Sequence, residues 1–249
     1  MIKSKNLIFG TRAAIEALRS GKDIEKVLIK KEPGGEAIGE LMKCLRESSV
    51  PYQYVPVDKL NRLTQKNHQG IIAIISEIEY QPVEQVIPFL YEKGEVPFIL
   101  VLDHITDVRN FGSIARTAEC AGVHAIVIPD KGAAGINADA VKTSSGALLN
   151  ISVCRVTNLV KTIKFLSDSG IQIIAASEKA EDLYDKPDYK IPTAIIMGAE
   201  DKGISQEIIK MSDNFVKIPV FGKVKSLNVS VAAGLMLYEV VKQRSLHKS

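Results

Sequence analysis

The chain has 249 residues, 46% of them hydrophobic and 24% charged, the composition of a globular protein with room for one large domain or two small ones. A net charge of +3 and a pI of about 8.6 permit a nucleic-acid partner without demanding one, because strongly electrostatic binders usually exceed pI ~9 in the binding domain. No apolar run reaches the roughly 18 residues of a spanning helix and the N-terminus lacks a signal-peptide core, so a cytoplasmic protein with no membrane partner is expected. Cys44, Cys120 and Cys154 are far apart and odd in number, and the four histidines are scattered. Reduced thiols and no metal site follow.

From Asn6 to Ser76 the pattern is a small α/β unit. GTRAAIEALRSG places Ala13, Ala14, Ala17 and Leu18 at helical spacing and closes on Gly21. KVLIK (26–30) reads as a strand, 36–48 as a helix, PYQYVPV as a short strand, VDKLNRL as a short helix and GIIAIIS (70–76) as a β-branched strand. The domain expected here is 1–76. Residues 77–97 hold three prolines and several acids, and a linker at 77–96 carrying a turn or two of helix is expected.

The third segment, 97–249, alternates strands and helices more strongly. FILVLD (98–103), AIVIP (125–129), ISVCRV (151–156), IQIIAA (171–176), AIIMG (194–198) and FVKIP (215–219) are nearly continuous apolar runs, as parallel strands covered on both faces should be. Helices are expected at 112–121, 138–144, 159–169, 205–211 and 229–244. The last is apolar nearly all round, so it should be buried on more than one side, with one face on its own sheet and another on a second subunit.

The common nucleotide and nucleophile signatures are missing. No GxGxxG follows FILVLD, Gly222-Lys223 lacks the rest of a P-loop, and no GxSxG occurs. Instead three loops each follow a strand: RNFGSIAR with Asn110 and Arg116, MGAEDKGIS with Gly198, Glu200 and Gly203, and FGKVKSLN with Gly222, Ser226 and Asn228. With a helix starting near Gly112, Asn110 falls in the loop and Arg116 one turn in. Ser205 can cap the helix that follows the second loop. Each loop alone is equally well an ordinary helix start. Together they place Asn, Arg, Glu and Ser where an open α/β sheet binds ligands, outside the carboxyl ends of its strands.

These loops resemble the three motifs of the SpoU/TrmH family of RNA ribose 2′-O-methyltransferases, of the SPOUT class: NFGSIAR the first, IIMGAEDKGIS the second and IPVFGKVKSLNVSVAAGLMLYE the third. The N-terminal unit, through GTRAAIEAL and NHQGI, is similar to the family's substrate-binding domain, a pairing that resembles the bacterial 23S rRNA guanosine 2′-O-methyltransferases more than the tRNA enzymes. The resemblance implies a C-terminal methyltransferase domain with a trefoil knot, a mostly parallel sheet, bound S-adenosylmethionine and a homodimer. It implies that Met197, Gly198, Gly203, Ile218, Val220, Gly222 and Leu227 hold the cofactor. Asn110, Arg116, Glu200, Ser226 and Asn228 would line the reacting end, the last three also touching the cofactor. RNA contact is expected from Arg12, His68, Arg109, Lys142, Lys223 and Lys225, each of which is otherwise an ordinary solvated polar group. The activity implied is methylation of a guanosine ribose in 23S rRNA. The alternatives are a tRNA or other rRNA 2′-O-methyltransferase, or a non-catalytic RNA-binding assembly factor that kept the fold.

Overall fold

The β-branched run Ile71–Ile75 (β4) is the centre of the first unit in the computed structural model, which describes residues 6–35, 37–48, 50–199 and 201–245. Around it lie β1 (Leu7–Phe9), α1 (Thr11–Arg19), β2 (Ile24–Lys30), α2 (Ala37–Glu47), β3 (Tyr52–Val55) and α3 (Val57–Leu63). The sheet order is β1-β4-β2-β3, with β4 antiparallel to both neighbours and β3 parallel to β2. Period-two alternation in β2 divides its side chains between two cores. Val27 and Ile29 pack with Ala14, Ile15, Leu41 and Cys44, whereas Leu28 packs with Val55, Leu60 and Ile72. The three-residue β1 is too short to announce itself in sequence.

The chain divides between Glu79 and Tyr80, with Gly135–Ala138 grouped with the first unit. The stretch 77–96 is not merely a linker. It forms α4 (Val83–Glu92), whose Val83, Ile87 and Leu90 are buried in the core of the second unit. The spacing i, i+4, i+7 supplies an apolar stripe, and the prolines that suggested a linker flank or enter the helix without removing that stripe.

The second unit continues with β5 (Phe98–Asp103), α5 (Val108–Cys120), β6 (Ala125–Pro129), α6 (Ala138–Thr143), β7 (Ser152–Val156), α7 (Leu159–Asp168), β8 (Gln172–Ala176), β9 (Asp182–Leu183), β10 (Thr193–Gly198), α8 (Gln206–Met211), β11 (Asn214–Lys217) and α9 (Val229–Ser245). Its strands pair in parallel in the order β7-β6-β5-β10-β8-β11-β9. Ile99, Val101, Ala194 and Ile196 face a core shared with α4, α7 and Ile208 of α8. The alternate strand residues face the other way, where α5 and α9 pack together and α9 lies on β10. The chain winds outward from β5 to β7, then crosses to β8, so the order reverses beside β5 and β10. Such a reversal opens a crevice at the carboxyl ends of the strands.

The start of α5 differs from expectation. The helix begins at Val108 because the Asp107 carboxylate accepts hydrogen bonds from the backbone N–H groups of Arg109 and Asn110, a strong N-cap. Gly112 lies inside the helix, where a Cβ would sit 2.7 Å from Thr143 Cβ; it is a packing glycine and not a helix start. Asn110 therefore occupies the first turn and Arg116 lies two turns in.

Candidate active site

At the crevice, the ends of β8, β10 and β11 and the start of α9 enclose a pocket. Its lining includes Met197, Gly198, Gly203, Ile218, Val220, Ser226 and Leu227. The second and third sequence loops thus meet in space. Apolar side chains form one part of the wall, and Ser177, Glu178, Lys179, Asp201 and Lys202 supply polar groups to the rest. Among the described residues no group of three or more His, Cys, Asp or Glu could hold a metal ion, and no helix is long and apolar enough to cross a membrane.

Two features hold the loop after β10 in place. A Cβ at Gly198 would lie 2.3 Å from Gly203 C and 2.4 Å from Ile204 N, so only glycine lets the loop fold back onto the strand end. The Gly203 N–H donates to the Ala199 carbonyl at 2.7 Å, with Gly203 at φ 68°, a conformation favourable to glycine. The second brace is Asp103, buried at the end of β5 beside Gly198. Its carbonyl accepts from Ala199 N at 3.0 Å, its Oδ2 accepts from Ser205 N at 3.0 Å, and its Oδ1 lies 2.5 Å from His104 Nδ1. Ser205 occupies the N-cap position of α8 but makes no side-chain cap bond; its own N–H is the group that is satisfied.

The remaining expected residues are distributed as follows. Asn228 Nδ2 donates to Asn110 Oδ1 at 3.1 Å, so the first and third motifs are linked where α5 and α9 begin. Asn228 Oδ1 also accepts from Ser230 N at 2.9 Å. Arg116 projects from the exposed flank of α5 and is not in the pocket lining; among the described residues it has no ion pair or hydrogen bond. Gly222 is exposed, lies outside the lining, and would accept a Cβ with nothing within 4 Å. Glu200 lies outside the described residues.

Of the expected RNA contacts, Arg12, Arg109, Lys142, Lys223 and Lys225 are all exposed, Lys142 near the end of α6. His68 is different. Its Nδ1 accepts from Gly70 N at 3.0 Å and its Nε2 lies 2.9 Å from Asn61 Oδ1. These contacts assign the proton to Nε2 and engage both ring nitrogens in shaping the turn into β4.

The wall formed by Ser177, Glu178 and Lys179 escaped the sequence reading. The rule applied to three other strands, that polar residues just past a carboxyl end face the crevice, would have found it after IQIIAA. Asp103 was concealed as the last residue of an apolar strand.

Residues 97–238 match the SpoU rRNA Methylase family, and residues 7–81 match the RNA 2′-O ribose methyltransferase substrate-binding family. The Bacillus subtilis (strain 168) protein YacO, assigned to the TrmH family of tRNA/rRNA methyltransferases, is 35% identical over 245 residues, 98% of each chain. Among solved structures, an RNA 2′-O ribose methyltransferase is 26% identical with a TM-score of 0.57, over 96% of this chain and 88% of that one. The SpoU methyltransferase AviRb of Streptomyces viridochromogenes, solved in complex with AdoMet, shares the fold at 24% identity with a TM-score of 0.61, over 96% and 90% of the two chains. With its substrate-binding unit at the N-terminus and three motif loops meeting at or beside the crevice of a parallel sheet, the chain belongs to the SpoU/TrmH family of RNA ribose methyltransferases.

Proposed function

We propose that the chain transfers the methyl group of S-adenosylmethionine to the ribose 2′-OH of a guanosine in 23S rRNA, acting in the cytoplasm as a homodimer with a trefoil-knotted catalytic domain. The observation that carries this reading is the pocket built from the ends of β8, β10 and β11 and the start of α9. The wall suits the cofactor. Met197, Ile218, Val220 and Leu227 offer an apolar slot of the kind an adenine ring occupies, Glu178 and Asp201 offer carboxylates for ribose hydroxyls, and Gly198 and Gly203 keep the loop backbone close. When bound, the sulfonium supplies an electrophilic methyl group.

The chain's own residues then have to bring the hydroxyl in line and ease its deprotonation. A guanidinium donates and does not readily release its proton, so Arg116 serves by gripping the adjacent phosphate and polarising the 2′-OH. Asn110 and Asn228, already bonded to each other, and Ser226 at the pocket rim complete the positioning. Glu200 takes the same role by its place in the second motif. Arg12, Arg109, Lys142, Lys223 and Lys225 guide the phosphate backbone.

The homodimer is supported by α9, where Val231, Leu235 and Tyr238 form an apolar stripe at i, i+4, i+7, exposed by 52%, 41% and 51%. The fold's own packing uses the opposite side, with Ala233, Met236, Leu237 and Val240 buried. The test is methyl transfer from labelled S-adenosylmethionine to unmethylated 23S rRNA and to bulk tRNA in parallel, with the product nucleotide mapped. Label on a 23S guanosine ribose supports the reading. Label confined to tRNA keeps the chemistry and overturns the substrate. No label on either, with no cofactor bound, makes the chain an RNA-binding factor.

A further inference from the structure

We propose that Phe221 is a base-stacking residue, the platform on which a nucleobase of the RNA rests while a ribose lies at the pocket. The inference builds on the proposed activity at this same site. Phe221 is 96% exposed, more than any other large hydrophobic residue described, and takes part in no ring or cation contact among the described residues. Leaving so large an apolar side chain in water forfeits the stabilisation that burial would give, so its position calls for a partner outside the fold. The loop's other side chains say what kind. Val220, Ser226 and Leu227 line the pocket, and Lys223 and Lys225 are exposed between them. Pro219–Asn228 contains no Asp or Glu, so the loop is a cationic surface complementary to a phosphate backbone. A strand that presents a ribose to the pocket must pass over this rim. The phenyl ring has no hydrogen-bonding atom with which to read a base edge; it offers a π-face that any unstacked base can use, the pattern of single-stranded RNA recognition.

The chain contains no tryptophan, so Phe221→Trp introduces a unique fluorophore at the proposed contact. Unmethylated 23S rRNA transcript is titrated into this variant, wild type and Phe221→Ala, reading indole emission, RNA anisotropy and S-adenosylhomocysteine affinity. The expected result is quenching of the indole on saturation with RNA. Phe221→Ala should weaken RNA binding roughly 5- to 150-fold, with Phe221→Trp near wild type and ligand affinity unchanged in all three. RNA binding without quenching, or wild-type RNA affinity in Phe221→Ala, overturns the stacking role and leaves the proposed activity standing. An indole emission that shifts with protein concentration and not with RNA, together with dissociation of Phe221→Ala, makes the residue a contact between copies of the chain. Failure of the wild type to bind RNA at all overturns the proposed activity and this inference with it.

Discussion

Gly198 and Gly222 look equivalent as loop glycines in the sequence, and the structure separates them. A methyl group on Gly198 would meet the Gly203 and Ile204 backbone at 2.3 to 2.6 Å, and backbone cannot swing aside as a side-chain tip can. The loop would have to retreat by roughly 1 Å, pulling on the hydrogen bonds that Ala199 and Ser205 donate to Asp103. Overpacking of this kind costs about 1–3 kcal/mol, which for a unit of this size lowers Tm by roughly 2–12 °C. The same retreat deforms the wall that carries Met197, Asp201 and Gly203. Gly198→Ala should therefore lose both stability, followed by thermal melting, and at least about tenfold in S-adenosylhomocysteine affinity, followed by calorimetry; a tenfold loss is about 1.4 kcal/mol. Gly222→Ala, with open space around the added methyl, should stay within about 0.5 kcal/mol of wild type. Wild-type melting and affinity for Gly198→Ala, or equal damage from Gly222→Ala, would refute the steric argument.

Arg116→Ala should abolish methyl transfer and leave cofactor affinity intact, because Arg116 stands outside the pocket lining; a parallel loss of cofactor binding would refute that division of labour. Arg244 donates to the carbonyls of Tyr189, Val96, Pro97 and Ile191 at 2.9 to 3.1 Å and lies over the Phe98 ring. Arg244→Ala should cost about 2–4 kcal/mol in chemical denaturation, and Arg244→Lys should recover only part, since an ammonium cannot serve four carbonyls at once. His124 is half-buried, accepts the Phe98 N–H at 3.0 Å through Nδ1, and has its pKa lowered chiefly by burial. Its neutral form is therefore favoured by folding. The contribution to stability is full above the unfolded value of about 6.5 and declines as pH falls toward and through the lowered folded value. Wild type should lose more stability than His124→Ala between pH 7.5 and pH 5 (roughly the window set by that value), and parallel melting curves would count against it.

Much of this protein was legible in its sequence. Continuous apolar runs such as FILVLD and AIIMG marked parallel strands, because a strand covered on both faces has no polar side to display. The three motif loops stood out only together, because each alone is an ordinary helix start, whereas three place their polar groups where an open α/β sheet binds ligands. Other features depend on contacts across the chain. Asp107 sets the start of α5, but a competing glycine in the same stretch obscured it until Thr143 was seen packed against Gly112. Residues 77–96 read as a linker because the core that buries Val83, Ile87 and Leu90 is assembled by strands far along the chain. The Ser177–Lys179 wall, the Asp103 brace and the difference between Gly198 and Gly222 exist only once β8, β10 and β5 lie side by side. Local spacing fixes which face a residue occupies; it carries no information about which distant backbone will come within 3 Å of it. That is decided by the order of strands in the sheet.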